Sequence, residues 1–141
     1  MDLSFDFDKT SIMVELAVFG DEFDPEVMTK RLSIFPDRFW KKGDSIRNLK
    51  IVRKESSWML STGYVESLYL ENQLKEIIAR LYPKKDEFIA LKKELNVDCK
   101  IFAVAIIRDN QTPSIYFDSS VIDFIHEIDA EIDIDLYTHT D

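Results

Sequence analysis

Apolar residues recur along this chain with two different periods, and the changes between them mark out the elements. Residues 11–19 hold Ile12, Met13, Val14, Leu16, Ala17, Val18 and Phe19 with Glu15 as the one charge, the pattern of a largely buried strand that Gly20 ends. Asp24 followed by Pro25 reads as a helix start. The carboxylate can accept an orphaned backbone N–H, and proline at the first helical position gives up no needed donor. This short helix is expected to reach about Leu32. No period is sustained from residue 33 to 54, where Pro36, Gly43 and Asn48 punctuate a long loop whose one candidate strand is Ile51-Val52.

A period of two returns over residues 57–65, with Trp58, Leu60, Thr62 and Tyr64 on one face and Met59, Ser61, Gly63 and Val65 on the other. The spacing of Leu70, Leu74, Ile77, Ile78 and Leu81 then predicts a helix over residues 71–81. Pro83 breaks or kinks it, and a second helical segment over 84–95 turns Phe88, Leu91 and Leu95 inward. Residues 97–107, almost continuously apolar from Ile101, predict a central strand buried on both faces. A turn at 109–113, a short strand at 115–117, a helix capped by Asp118 or Ser119 and running to Ile128, and an alternating strand over 131–137 complete the chain. The order mixes hairpins with helical crossovers. It predicts a single α+β domain, residues 1–141, with a mainly antiparallel mixed sheet and helices packed on one face.

Composition fits that picture. At 141 residues and 45% hydrophobic, the chain can bury roughly 68% of its unfolded surface without disulfides. Its single cysteine, Cys99, sits in an apolar run and reads as a small buried hydrophobe with no disulfide to form. The amino-terminal stretch is acidic and lacks the basic-then-apolar order of a secretory signal, and the longest uninterrupted apolar run, Ile101 to Ile107, is far below the ~20 residues that cross a bilayer. A cytoplasmic, non-membrane protein is expected. A formal net charge of -9 opposes Coulombic attraction to nucleic acid, so nucleic acid is disfavoured as a partner.

Charge is nevertheless unevenly placed. Glu127, Asp129, Glu131, Asp133 and Asp135 stand at every second position. A calcium loop counted from Asp129 would need glycine at its sixth position and glutamate at its twelfth; the chain has Ile134 and Thr140 there. Glu131, Asp133 and Asp135 therefore read as the solvent side of a strand whose Ile132, Ile134 and Leu136 face the core. Carboxylates ~7 Å apart repel by only about 0.6 kcal/mol in water. The same ribbon is the first candidate surface, for a basic partner or a divalent cation whose binding would relieve that repulsion.

Basic residues gather instead in the loop, where Arg38, Lys41, Lys42, Arg47, Lys50, Arg53 and Lys54 are set against Asp44 and interrupted by Phe39 and Trp40. Such a run is expected to lie against the chain's own acidic surface. It also supplies the second candidate: a pocket for an anionic or aromatic metabolite built by Arg38, Trp40, Lys42, Asp44, Arg53 and Trp58. Catalytic signatures do not emerge. The two histidines, His126 and His139, have no evident partner, and neither a nucleophile elbow nor a glycine-rich phosphate loop is present. Asp24 and Glu26, in a cluster with Asp21 and Glu22, are accounted for by helix capping and the helix dipole. No catalytic residue, metal ligand or cofactor is expected.

Four segments carry a family resemblance: Gly20-Asp21-Glu22-Phe23-Asp24-Pro25, Phe35-Pro36-Asp37-Arg38-Phe39-Trp40-Lys41-Lys42-Gly43-Asp44, Ser57-Trp58 and Gln111-Thr112-Pro113-Ser114-Ile115-Tyr116-Phe117-Asp118. Together they resemble the bacterial domain-of-unknown-function 4279 family over nearly the whole chain, with Trp40 to Asp44 the most distinctive stretch. The resemblance implies a small bacterial protein and transfers no activity. The expected function is a non-enzymatic interaction module with a protein partner, an immunity-type role against a toxin being one form by analogy. A small-ligand domain around Trp40 and Trp58 is the alternative.

Overall fold

The computed structural model describes residues 7–47 and 49–139. The acidic lead at residues 1–6, the loop position Asn48 and the calcium-loop count at Thr140 fall outside that range. In chain order the elements are β1 (Ser11–Gly20), α1 (Pro25–Leu32), β2 (Arg38–Trp40), β3 (Ser56–Ser61), β4 (Val65–Glu66), α2 (Leu70–Leu81), α3 (Lys85–Leu95), β5 (Asp98–Ile107), α4 (Ser119–Glu127) and β6 (Glu131–Thr138). The strands form one mixed sheet in the order β2-β3-β1-β5-β6, with β4 pairing β1 beyond the end of β3. Every pairing is antiparallel except β5 with β6, which are parallel and joined by the crossover helix α4. This is the expected α+β architecture.

Each helix begins or ends for a local reason. Asp24 caps α1 by accepting the Glu26 N–H at 3.0 Å, with Pro25 buried at the first helical position. Asp118 caps α4, accepting from Val121 N–H at 2.9 Å. Pro83 sits in a single 3-10 turn, Tyr82–Lys84, that joins α2 to α3 without a long connection. Asn96 closes α3 in the left-handed conformation.

All four helices pack on the same sheet face. The core joins Ile12, Val14, Leu16 and Val18 of β1, Trp58 and Leu60 of β3, and Cys99, Ile101, Ala103 and Ala105 of β5 to Met28, Leu74, Phe88, Leu91 and Phe124 from the helices. Cross-strand register fixes this sidedness, because Val18 faces both Trp58 and Cys99, and Leu16 faces both Leu60 and Ile101. The opposite face has no helix. Lys100, Phe102, Val104 and Ile106 are accordingly only half-buried. The expectation of a β5 buried on both faces is corrected: the helical layer covers one.

Three further corrections concern strands. The expected loop 33–54 contains β2, which pairs antiparallel with β3, and its continuation folds back on itself through a Ser45–Val52 bridge. The strand expected over 57–65 ends at Ser61, and Gly63 takes a φ of +68° before β4 resumes. Thr62 bridges the gap, its N–H donating to Val14 O at 3.0 Å and its hydroxyl accepting from Val14 N–H at 3.0 Å. Residues 115–117 form no strand; the contact there is a Tyr69–Ser114 bridge. No described helix is long and apolar enough to cross a membrane.

Candidate functional site on the uncovered sheet face

Strand parity decides which charged residues meet. Arg38 stands opposite Met59 and Trp40 opposite Ser57, while Ala17 faces Met59 and Lys100, and Glu15 faces Ser61 and Phe102. Phe102 is next to Asp133 on β6. All of these side chains project from the face that the helices leave uncovered, in a row that crosses the sheet from one edge to the other. Charge alternates along it: Arg38, Glu15, Lys100, Asp133.

The row is physically coupled. Arg38 Nη2 donates to both Glu15 carboxylate oxygens at 3.2 and 3.3 Å and lies 3.6 Å from Met59 Sδ. Glu15 is only 9% exposed, and a carboxylate that far from water requires such a partner. Lys100 Nζ sits 5.1 Å from the Phe102 ring centroid and 3.5 Å from the Asp133 carboxylate. Arg53 stacks on Trp40 with its guanidinium carbon 3.5 Å from a ring centroid, and Arg38 approaches a Trp40 ring at 5.5 Å. Between these groups lies a shallow cavity of about 350 Å³, floored by Ala17, Ser57 and Met59 and walled by Phe19, Trp40 and Phe102.

Of the pocket residues expected from the sequence, Arg38, Trp40 and Arg53 come together here. Trp58 does not. One residue's difference in strand parity turns it to the helical face, where it is fully buried and its Nε1–H donates to Thr29 Oγ1 at 3.1 Å. The expected pocket shared by the two tryptophans is therefore not assembled. Lys42 pairs with Asp21 at 3.0 Å, and that hydrogen bond raises its pKa; its backbone N–H donates to Ser56 Oγ at 2.9 Å. Asp44 accepts from Lys41 N–H at 2.8 Å and holds the turn in which Gly43 has a φ of +92°. With Lys41 at 3.5 Å from Asp24 and Arg38 on Glu15, three of the seven basic residues lie against the protein's own carboxylates, while Arg47, Lys50, Arg53 and Lys54 form no ion pair among the described residues.

The Trp40 to Asp44 stretch is thus a turn that carries Trp40 onto the uncovered face and returns Arg53 over it, since Gly43 N–H donates to Arg53 O at 2.8 Å. A family model described as "Domain of unknown function (DUF4279)" matches residues 9–139. The chain belongs to that family. No curated protein and no solved structure matches it. In this DUF4279 member the match spans every strand of the sheet and both candidate surfaces.

Glu131, Asp133 and Asp135 also project from the uncovered face, as their register with Lys100, Phe102 and Val104 requires. Of the three side chains expected to face the core behind them, Ile134 packs against it, while Ile132 and Leu136 are 37% and 50% exposed. Among the described residues no cluster of three or more His, Cys, Asp or Glu is placed to hold a metal ion. His126 is exposed on α4. Cys99 is buried, and desolvation pushes its thiol up to about 12, far from the thiolate a nucleophile needs. Sequence reasoning missed Glu15, Lys100 and Phe102 as site members. Their signal was a lone charge in an apolar strand and a lysine before an apolar run, which gain meaning only once β1 and β5 are neighbours.

Proposed function

We propose that this protein is a non-enzymatic interaction module of the bacterial cytoplasm that meets a protein partner through the uncovered face of its sheet. The observation that carries this reading is the one-sided helical layer: it leaves a face with half-buried aromatic rings and an alternating row of charges. Interfaces characteristically combine apolar anchors with a polar surround. A photo-crosslinking side chain installed in the host cell at Trp40, Val104 or Tyr137, against controls at Glu76 of α2 and Ala90 of α3, tests it. One protein crosslinked from the sheet positions and absent from the helical ones is expected. Equal crosslinking from both sides, or none from the sheet, refutes the proposal.

A second reading is a small-ligand site, favoured by the buried Glu15 beside a cavity of about 350 Å³. Arg38, Lys100 and the Trp40 and Phe102 rings fit an anionic aromatic metabolite. A ligand at 100 times its Kd would stabilise the fold by about 2.7 kcal/mol. A thermal-shift screen of nucleotides, sugar phosphates and aromatic acids that raises no melting temperature excludes that reading.

A further inference from the structure

The two ends of the sheet are built differently. At one end β2 is three residues long and continues into the folded-back segment of residues 41–54. At the other, β6 runs eight residues, pairs one-to-one with β5 through Thr138, and contains no proline, lysine or bulge. Short length, charged side chains (above all lysine), proline and bulges are the usual devices that blunt a sheet edge, and of these β6 carries only its three carboxylates, which select against an acidic strand and not a basic one. The outer side of β6 pairs with no other strand among the described residues, leaving roughly 26 Å of backbone edge with open donors and acceptors.

Its side chains indicate what can lie there. Glu131, Asp133 and Asp135 point to the uncovered face, and neither Glu131 nor Asp135 has an ion-pair partner among the described residues. Ile132 and Leu136 point the other way and remain substantially exposed. A second copy added antiparallel about a two-fold normal to the sheet and centred on β6 at Asp133 or Ile134 would set Asp133 against Asp133 or Asp135 of that copy, and like charges directly opposite are destabilising. A strand of opposite charge turns the same register into cross-strand ion pairs.

Resting on the reading of this protein as an interaction module, we propose that β6 takes up an extended segment of its partner as an added strand. The segment carries Lys or Arg at alternate positions, facing the three carboxylates, with apolar side chains between them against Ile132 and Leu136. Backbone hydrogen bonds would supply the common affinity of strand addition, and the alternation its specificity.

The test uses synthetic peptides of about nine residues: alternating Lys and Val, the same composition with the lysines clustered, the alternating form N-methylated along one edge, and an alternating Glu and Val control. Binding to the full-length protein is followed by amide chemical shifts and calorimetry. The alternating basic peptide is expected to perturb β6 amides and to weaken as salt rises. N-methylation, or Asp133→Lys with Asp135→Lys in the protein, should each reduce affinity at least roughly tenfold. Equal binding of the clustered or N-methylated peptide would mean loose charge attraction and overturn strand addition. So would shifts remote from β6, absence of binding, or a protein that already dimerises through β6. Crosslinking from the sheet face alongside failure of the peptides would leave the interaction reading standing and reject this partner class alone.

Discussion

Two tryptophans separate the structural from the available at the scale of single residues. Trp58 is enclosed between β3 and α1 with its indole N–H satisfied by Thr29, whereas Trp40 is half-buried on the other face beneath Arg53. Truncating a buried tryptophan costs about 3–5 kcal/mol, so Trp58→Ala is expected to lower the denaturation midpoint steeply. Trp40→Ala gives up stacking of roughly 0.5–1 kcal/mol and should leave the fold intact. Acrylamide quenching provides a second reading: in Trp40→Phe the remaining fluorescence should resist quencher, and in Trp58→Phe it should not. The reverse order would overturn the assignment of faces. The alternation over 57–65 separated the two faces of that strand but not which one is inward, and the sequence expectation set Trp58 in a pocket with Trp40; the burial of Trp58 follows from the helical layer over β3. Trp40's face was not legible either, because three residues show no period and it is set by pairing with β3.

At the scale of elements, the sequence carried those that make their own pattern. The α2 stripe, the Asp24-Pro25 start and the Pro83 break each encode structure within one or two turns. Elements that depend on a distant neighbour did not announce themselves: β2 exists because β3 offers an edge, and Ile115-Tyr116-Phe117, strand-like by composition, finds none. The cap of α4 shows local and distant signals combining. Asp118 accepts from Ser120 Oγ at 2.6 Å, Lys75 Nζ at 2.9 Å and Val121 N–H at 2.9 Å, while its own N–H donates to Glu71 at 2.8 Å, tying α4 to α2. The Ser120 and Lys75 hydrogen bonds, with that from Val121, hold its carboxyl well below the usual range. A depressed folded pKa contributes stability that is fully present above the ordinary aspartate value and is lost as pH falls through and below it. Asp118→Asn, which preserves capping geometry but cannot titrate, should therefore be less stable than the wild type near neutrality and lose less between about pH 5 and pH 2. Denaturant midpoints across that range measure the difference; parallel pH profiles for the two proteins would contradict the assignment.

For the whole molecule, a helical layer on one side of the sheet makes stability and availability run in opposite directions along it. β1 is paired on both sides and contributes four fully buried side chains to the core; β5 is likewise paired on both sides and buries Cys99, Ile101, Ala103 and Ala105. β2 and β6 each have one paired side and little burial. Amides protected by pairing on both sides and by a packed core open only with global unfolding, whereas an exposed edge opens locally at lower free energy. Native-state hydrogen exchange should consequently place the amides of β1 and β5 in the slowest class, with free energies that fall with denaturant at the global slope. Those of β6 directed away from β5 should exchange fastest among strand amides and show almost no denaturant dependence. The basic alternating peptide links this gradient to function, because an added strand protects the outward amides of β6 and leaves those of β2 unchanged. Uniform slow exchange across β6 in the free protein would mean that its edge is already covered. In that case neither the gradient nor strand addition describes the molecule.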